Sequence, residues 1–421
     1  MFIIYDLISL IFVIFFLPFY LLKGKFHKGF SRRFGILPKS LNLDRPIWVH
    51  AVSVGEAIAV RGLVEGLRKN YPGKKIVFST VTATGNKIAQ EIIRQGDLLT
   101  YLPLDFSFII KSVVERINPS VFIVAETEIW PNLFTCLHKK NIPIITINGR
   151  ISDKSFKKYR AIKYLLKPIL NKITLICAQT KNDAKRFAEL GARKEKIMVS
   201  GNLKFDAINS LSHGKKDVEI KLKLGLKEDD KLFVCGSTHP QEEEQIIGVY
   251  KNLLHDFPNL KLLIAPRHPN RAEEVGKLVS KSGLRSVLFS KEVFPECSCV
   301  AKPVFILDII GRLLEFYALA DIVFVGGSLV KKGGHNILEP AIFGKPIIFG
   351  AHMFNFRDIK DLFLDNKAAV LVNDPQELNV IVKKLLKDNA FANELGIKAK
   401  SLVLENQGAT ARTLELIKNE L

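Results

Sequence analysis

The sequence predicts two doubly wound α/β domains of similar size, joined by a polar linker. From residue 46 onward, short apolar runs alternate with helical patterns. Such alternation is typical of parallel sheets that carry helices on both faces. A segment rich in Lys, Asp and Gly interrupts the alternation over 209–230, and the pattern then restarts. We therefore expect a first domain over 46–208 and a second domain over 231–421.

Apolar runs predict the strands of both domains. In the first domain they are 47–52, 75–80, 98–104, 121–125, 142–147 and 175–178, with helical patterns such as 57–69, 87–95 and 183–190 between them. In the second domain they are 232–235, 260–265, 285–289, 304–307, 322–325 and 346–349, followed by a mostly helical stretch over 375–421. Because ligands of such sheets bind at the carboxyl ends of the strands, we expect two strand-end surfaces that face one cleft.

Charge and cysteine content restrict the partners and the compartment. The chain has 421 residues and a formal net charge of +20, which favours nucleic acid, an anionic membrane surface or a phosphorylated substrate. The five cysteines are Cys136, Cys177, Cys235, Cys297 and Cys299, and no two of them have the spacing of zinc ligands. We expect them to be buried thiols in a reducing compartment.

The N-terminus predicts a membrane anchor. Residues 1–22 are almost entirely apolar, with Asp6 as the one charge, and they match the ~20 residues that cross a bilayer core. A basic juxtamembrane segment over 23–45 follows, and by the positive-inside rule it places the body of the protein in the cytoplasm. Asp6 and Pro18 also allow a helix that lies in one leaflet. In either case we expect the protein at a membrane.

Carboxylates follow two strands of the first domain. Glu56 comes after the first strand, near a predicted helix N-terminus, where it can take a proton from a hydroxyl or simply cap the helix. Glu126 and Glu128 directly follow the fourth strand. One of these two can orient a catalytic group or a substrate hydroxyl, and solvated charges at the sheet edge are the alternative.

Three cationic or imidazole side chains are candidates for binding an anion. Lys204, in the Gly-Asn-Leu-Lys-Phe-Asp stretch at 201–206, can pair with an anionic ligand or lie on the surface. Arg267 ends a strand of the second domain and can donate paired hydrogen bonds to a carboxylate or phosphate. The neighbouring His268 can contact a base, ribose or phosphate, or it can form only a rigid turn between two prolines.

Two strand-to-helix junctions of the second domain suggest a nucleotide pocket. Residues 333–340 read Gly-Gly-His-Asn-Ile-Leu-Glu-Pro after an apolar run, and such a loop lets backbone N–H groups approach a phosphate. Glu339 can accept a hydrogen bond from a ribose hydroxyl. Residues 236–240 read Gly-Ser-Thr-His-Pro, whose hydroxyls can cap a helix or bind phosphate. Ordinary glycine-rich turns are the alternative, since neither stretch is a Walker or dinucleotide-binding loop.

A basic amphipathic stretch over 154–172 interleaves Lys and Arg with Phe, Tyr, Leu and Ile. It can meet anionic lipid head groups, or it can be the solvated face of a helix that packs on a core.

Taken in order, these motifs resemble those of the bacterial 3-deoxy-D-manno-octulosonic acid (Kdo) transferases. The stretches that carry the resemblance are 48–56, 126–131, 201–206, 236–239, 266–269 and 333–340. The resemblance implies a GT-B glycosyltransferase, with two Rossmann-like domains facing a central cleft. It also implies a CMP-Kdo donor, the tetraacyl lipid A precursor as acceptor, inversion at the anomeric centre, no metal or other cofactor, and a place at the cytoplasmic face of the inner membrane with its anionic lipids.

Matched motif to motif, the resemblance also implies roles for individual residues. Glu56 takes the role of catalytic base, and Glu126 and Lys204 take transition-state-stabilising positions. The CMP-binding segments of the family correspond to Arg267, His268, Ile310, Gly311, Arg312, Asn336, Ile337, Leu338 and Glu339. The chain departs from the family in having Arg312 where Glu is usual and Gly149 where Ala is expected.

Two other functions fit parts of the sequence. One is a membrane-bound GT-B transferase that uses a UDP- or GDP-sugar, and the other is a non-catalytic module that binds anionic lipid or nucleic acid. The motifs lie at successive strand ends instead of forming one basic face with stacking aromatics, so we expect no nucleic-acid partner. No motif in the sequence encodes the number of Kdo residues added or the oligomeric state.

Overall fold

The computed structural model describes residues 5–7, 10–11, 15, 30–38, 41–208, 217–291 and 303–420. Most of the predicted anchor over 1–22, residues 23–29 of the juxtamembrane segment, residues 209–216 of the linker, and Cys297 and Cys299 lie outside the described residues. Within the described ranges, no helix is both long and apolar enough to cross a membrane. The anchor therefore stays a prediction.

The chain divides into two compact units. One comprises Met1–Ala207 together with Asn406–Leu421, and the other comprises Ile208–Glu405. Each unit is built around a seven-stranded sheet in which the neighbouring strands pair in parallel. The prediction of two α/β domains with parallel sheets is confirmed.

The sheet of the first unit has the strand order β3-β2-β1-β4-β5-β6-β7. Its strands are β1 Ile47–His50, β2 Ile76–Thr80, β3 Leu98–Tyr101, β4 Val121–Ala125, β5 Ile144–Gly149, β6 Leu175–Ala178 and β7 Ile197–Val199. The first six correspond to predicted strands. The sequence analysis did not identify β7, a three-residue edge strand whose Met198 and Val199 are exposed and therefore lack the apolar signature of a buried strand.

Helices cover both faces of this sheet: α1 Val54–Asn70, α2 Ala83–Gln90, α3 Ser107–Ile117, α4 Pro131–Lys139, α5 Asp153–Ala161, α6 Lys163–Leu170 and α7 Lys181–Glu189. Successive strand residues point to opposite faces, so Trp48 packs into one core while Ile47 and Val49 pack into the other. Side-chain caps start several of these helices, at Ser53, Thr82, Ser152 and Thr180.

The sheet of the second unit has the order β10-β11-β9-β8-β12-β13-β14. Its strands are β8 Lys231–Thr238, β9 Leu260–Pro266, β10 Arg285–Leu288, β11 Pro303–Ile306, β12 Ile322–Val325, β13 Ile347–Gly350 and β14 Val370–Val372. Its helices are α8 Asp217–Lys223, α9 Glu243–Asp256, α10 Ala272–Lys281, α11 Leu313–Leu319, α12 Leu338–Ile342, α13 Arg357–Asp365, α14 Pro375–Lys387 and α15 Asn389–Glu405. The three-residue edge strand β14 was not predicted either.

The last helix, α16 (Ala409–Lys418), corrects the predicted domain boundary. The sequence analysis assigned all of 231–421 to the second domain, but α16 belongs to the first unit. Its Ala409 and Ile417 join the core beside α1. The carboxylate of Asp206 accepts hydrogen bonds from the backbone N–H groups of Gly408 and Thr410, at 2.7 and 2.5 Å. Part of the motif at 201–206 therefore anchors this helix.

The strand orders define one topological switch point in each sheet. In the first unit it lies between β1 and β4, and in the second between β8 and β12. The connections that leave the two strands at a switch point run to opposite faces of the sheet, and ligands of doubly wound sheets bind in the crevice between them. Glu56 follows β1 and Glu126 follows β4, whereas His239 follows β8 and the glycines at 326–327 follow β12. The predicted motifs thus lie at both switch points.

Replacement of Gly326 by Ala should destabilise the second unit. A Cβ at Gly326 would lie 2.6 Å from the carbonyl oxygen of Ser237, which is backbone and cannot move aside cheaply. We expect a loss of about 1–3 kcal/mol in the free energy of unfolding. As a control, Gly248 lies in α9 with open space around its Cα, and Gly248→Ala should stabilise the protein by about 0.5–1 kcal/mol. Chemical denaturation of both variants checks this, and equal effects of the two would contradict the close packing at Gly326.

Candidate active site

Glu56 is held at the start of α1 by reciprocal capping. Ser53 is the N-cap residue, and its Oγ accepts a hydrogen bond from the backbone N–H of Glu56 at 3.4 Å. The Glu56 carboxylate in turn accepts from Ser53 Oγ and from the backbone N–H of Val52, both at 2.8 Å. This arrangement resembles a capping box, except that the backbone donor is Val52, the residue before the N-cap, and it fixes the carboxylate at the carboxyl end of β1. The capping interpretation of Glu56 is therefore confirmed, and the arrangement leaves the side chain only part-buried.

Glu126 occupies a strained backbone conformation at the end of β4. Its φ angle is +57°, in the left-handed region that residues other than Gly and Asn seldom adopt. Its Oε1 accepts a hydrogen bond from Lys204 Nζ at 3.1 Å, in an ion pair whose side chains are both about three-quarters buried. The bend at Glu126 thus turns its carboxylate toward Lys204.

Lys204 reaches this carboxylate from a 3-10 turn, Leu203–Phe205. The turn is fixed by two amide side chains: Asn202 Oδ1 accepts from the backbone N–H of Lys204, and Asn148 Oδ1 accepts from that of Leu203, both at 3.0 Å. Asn148 lies in β5 with a φ of +54°. The sequence analysis did not single out this positioning role of Asn148, because the contact joins residues 55 positions apart.

Burial, together with repulsion from neighbouring carboxylates, raises the pKa of Glu56 and of Glu128. Burial first, and then the charge of Glu126, raise the pKa of Glu56 above the usual value, while Lys204 and the capping hydrogen bonds oppose the rise. Burial, followed by the charges of Glu56 and Glu126, raises the pKa of Glu128 to about 7. Three carboxyl groups and one lysine thus form an acidic cluster that can hold and move a proton.

In the second unit, a buried carboxylate organises the loop after β12. The Glu242 side chain accepts hydrogen bonds from the backbone N–H groups of Gly327, Ser328 and Leu329, at 2.7, 3.1 and 3.0 Å. It also accepts from the backbone N–H of His239 at 3.2 Å. Glu242 therefore joins the loop after β8 to the loop after β12. The sequence analysis did not single out Glu242.

The predicted nucleotide-binding residues lie at the carboxyl ends of β9, β11 and β12. Arg267 and His268 are exposed after β9, and the backbone N–H of Arg267 donates to Thr238 O at 2.9 Å. Asn336 donates from Nδ2 to Glu339 Oε1 at 3.2 Å and caps the backbone N–H of Leu338, while Ile337 is buried. Burial raises the pKa of Glu339 to about 7, against the influence of Asn336 and Arg267. Arg267 and Glu339 are thus electrostatic neighbours.

The structure modifies two expectations about how the second unit binds a phosphate. The hydroxyl of Thr238 donates to the buried Glu243 at 3.0 Å, so it serves the fold instead of being an open phosphate ligand. The helix after the glycine-rich loop, α12, has only five residues and supplies little macrodipole.

The segment Ile310–Arg312 lies after β11. Ile310 is 82% exposed, and Gly311 has a φ of +88°. The Arg312 guanidinium donates to Glu315 at 2.9 Å and lies 5.0 Å from the ring centre of Phe289. The departure from the family at Arg312 is therefore accommodated by an ion pair within its own turn. Its role toward a nucleotide stays a prediction.

Comparisons with known proteins identify the family. The family model described as 3-Deoxy-D-manno-octulosonic-acid transferase (kdotransferase) matches residues 28–207. A 3-deoxy-D-manno-octulosonic acid transferase of Haemophilus influenzae is 38% identical over 373 residues, which cover 88% of this chain and 86% of the relative. The chain belongs to the Kdo transferase family. A second family member, from Chlamydophila psittaci, is 33% identical and covers 85% of this chain and 82% of its own length.

Solved structures agree on the architecture. A glycosyltransferase from Rickettsia africae superposes with a TM-score of 0.58 at 14% identity, covering 90% of this chain and 99% of that structure. This likeness shows the fold alone: two α/β domains with parallel sheets that resemble those of GT-B glycosyltransferases. Among the described residues, no group of three or more His, Cys, Asp or Glu side chains is arranged to hold a metal ion.

The electrostatic coupling in the acidic cluster predicts opposite pH shifts for two variants. If Glu56 acts as a base, activity falls as the pH drops through its raised pKa. Glu126→Gln removes a like charge that raises this pKa, so the acid limb of the kcat/KM profile should move to lower pH. Lys204→Gln removes a positive charge that lowers the pKa of Glu56, so the acid limb of the kcat/KM profile should move to higher pH.

Glu65→Gln is the matched control for these profiles, since Glu65 lies in the same helix as Glu56 but pairs with Arg94 at the surface. It should leave the acid limb in place. Shifts of Glu126→Gln and Lys204→Gln in the same direction, or no shift in either, would contradict the coupling.

Proposed function

We propose that this protein transfers Kdo from CMP-Kdo to the tetraacyl lipid A precursor in lipopolysaccharide biosynthesis, with inversion at the anomeric carbon. The observation that carries the proposal is the cluster of Glu56, Glu126 and Lys204 at the switch point of the first sheet, in a chain of the Kdo transferase family. The second unit supplies Arg267 and Glu339 at its own strand ends.

In the proposed mechanism, Glu56 takes the proton of an acceptor hydroxyl. The hydroxyl oxygen attacks the anomeric carbon of Kdo as the bond to the CMP phosphate breaks. Burial gives Glu56 the raised proton affinity that a general base needs near neutral pH. To accept the proton, Glu56 exchanges its hydrogen bond from Ser53 for one from the substrate. Lys204, held by Glu126, stabilises negative charge that develops during transfer.

The donor is proposed to bind at the strand ends of the second unit. Arg267 suits the Kdo carboxylate or the phosphate, because a guanidinium donates paired hydrogen bonds to such groups. Glu339 suits a ribose hydroxyl, with His268, Ile310, Gly311, Arg312 and Asn336 to Leu338 completing the CMP-binding segments. The donor and the bisphosphorylated acceptor are anionic, which fits a chain of net charge +20. We propose that basic side chains stabilise the leaving phosphate and that no metal is needed.

Product mass tests this proposal. The full chain is incubated with CMP-Kdo and the tetraacyl lipid A precursor in EDTA, and the lipid is analysed by mass spectrometry. We expect a product heavier by one or more Kdo units, and a loss of at least about 100-fold in rate for Glu56→Ala, because general-base catalysis contributes on that order.

The control for folding is the circular dichroism and thermal unfolding of Glu56→Ala beside the wild type. Product formation only with a UDP-sugar, or only with added divalent metal, would contradict the donor or the metal independence. Near-normal turnover by a folded Glu56→Ala would remove Glu56 from the mechanism.

We further propose that the first unit lies at the cytoplasmic face of the inner membrane, held by an anchor at residues 1–22. Supporting this, the apolar Leu7, Ile11 and Phe15 are exposed within the described part of that segment. The helices α5 and α6 present basic residues together with Tyr164 and Leu165, which are 89% and 62% exposed. Such a surface fits an interface with anionic lipid.

Co-flotation with vesicles of anionic phospholipid tests the membrane proposal. The full chain should float, deletion of residues 1–22 should weaken binding strongly, and Tyr164→Ser with Leu165→Ser in that background should weaken it further. Ile397→Ser, at an exposed apolar position of the second unit, is the control and should change nothing. Binding that survives all these changes would contradict the proposed surface.

A further inference from the structure

Three histidines come together at the switch point of the second sheet. His239 follows β8, His268 follows β9, and His335 lies in the loop after β12, and these three strands are neighbours in the sheet. None of the roles proposed above uses His239 or His335. The first is half-buried, and its backbone N–H is fixed by Glu242. His239 and His335 therefore lie on the two loops that Glu242 joins.

The rings of His239 and His335 contact each other directly, and we call them the His239–His335 pair. The rings are nearly parallel, with an interplanar angle of 5° and centroids 5.2 Å apart, and their Nε2 atoms are 2.9 Å apart. One Nε2 must carry a proton and donate, and the other must accept, because a neutral imidazole has one nitrogen of each kind. The His268 ring stands edge-on to His239 at 6.3 Å.

The surroundings of the pair are strongly positive. Burial first, and then Lys332, His268, Arg267 and Arg271, lower the pKa of His239 to about 4. Burial, Arg267 and the neighbouring histidines likewise lower the pKa of His335 to about 4. The nearby carboxylates are Glu242, which accepts hydrogen bonds from backbone N–H groups, and Glu339, which is held by Asn336. Glu243 and Glu274 also lie close and form ion pairs with Arg271, so the positive charge beside the pair comes mainly from Arg267 and Lys332. A neutral histidine pair with cationic neighbours favours the binding of an anion.

We infer that the His239–His335 pair binds the phosphate of the donor nucleotide and takes up a proton as the phosphate arrives. This inference rests on the proposed function and assigns to that site two residues with no role so far. The phosphate of the intact donor is a diester with a single negative charge, whereas that of free CMP is a monoester with a charge of about −1.5 to −2 at neutral pH, and either charge offsets the local repulsion. A second proton on the accepting Nε2 turns both Nε2 atoms into donors, and phosphate oxygens can accept from both.

The protonated pair also suits the transfer step. The acceptor oxygen forms its bond to the anomeric carbon and gives its proton to Glu56. The bond between that carbon and the phosphate oxygen breaks, and its electron pair stays on CMP, whose phosphate gains one negative charge. The positive charge of the pair offsets this gain, so the pair stabilises the leaving group without itself being consumed.

Isothermal titration of the full chain tests the inference by counting protons. CMP is titrated at pH 7 in buffers of different ionisation enthalpy, and the dependence of the observed heat on the buffer gives the protons taken up. We expect wild-type protein to take up about one proton per CMP. His239→Gln and His335→Gln should each abolish this uptake and weaken CMP binding by about 10- to 100-fold.

Controls separate the pair from other proton acceptors. His255→Gln should behave as wild type, because His255 is 93% exposed at the end of α9. Cytidine, which lacks the phosphate, should bind without proton uptake, and inorganic phosphate should reproduce the uptake at lower affinity. Glu339→Gln should still take up the proton when CMP binds. If Glu339→Gln loses proton uptake while the two histidine variants retain it, the proton belongs to Glu339 and the inference is overturned.

Two further outcomes are decisive. CMP binding by wild-type protein without proton uptake would overturn the role of the pair and leave the proposed donor standing. Failure of wild-type protein to bind CMP at all would overturn both the pair and the donor assignment. Circular dichroism of the two histidine variants establishes that they are folded, and either variant alone suffices for the comparison.

Discussion

Burial of the sheets on both faces is the constraint on which the rest of this structure depends. The strand pairings that the structure describes are parallel, and the central strands of both units are buried and largely apolar on both faces. Polar groups therefore have little place within the strands and collect where the strands end. Because parallel strands end at the same edge, residues far apart in sequence, such as Glu126 and Lys204, become partners. The chemistry of each unit therefore depends on the polar groups that collect at its strand ends.

The two units use opposite electrostatics at their switch points. In the first unit, burial and the neighbouring carboxylates raise the pKa of Glu56 and Glu128, so these two groups hold protons more tightly than isolated carboxylates do, while Lys204 pairs with Glu126. In the second, burial and the neighbouring cationic side chains lower the pKa of His239 and His335, so these two groups hold protons less tightly than isolated imidazoles do. One unit is thus suited to accept a proton and the other to receive an anion. A reaction that removes a proton from one substrate and releases phosphate from another needs both properties.

Sequence patterns predicted the parts of the fold that are buried and regular. The central strands were recognised because their apolar runs have no polar interruption. The edge strands β7 and β14 were missed because each has only three residues, and two of the three residues of β7 are exposed. The motif residues Glu56 and Glu126 were found because each directly follows a recognisable strand. The positioning roles of Asn148 and Glu242 and the contact of His239 with His335 were not found, because they depend on loops brought together across the sheet. The location of α16 depends likewise on Asp206, some 200 residues earlier in the chain.

The capping of Glu56 and its proposed basic role are compatible, although they appeared as alternatives in the sequence. A base must be held in place before its substrate arrives, and the hydrogen bonds from Val52 and Ser53 do this at little entropic cost because they are local. These bonds favour the ionised form, which is the form that accepts a proton. Burial and Glu126 act in the opposite direction and keep the carboxylate basic enough to react. The cap therefore supplies orientation and charge state, while the surrounding cluster supplies proton affinity, and the site needs both.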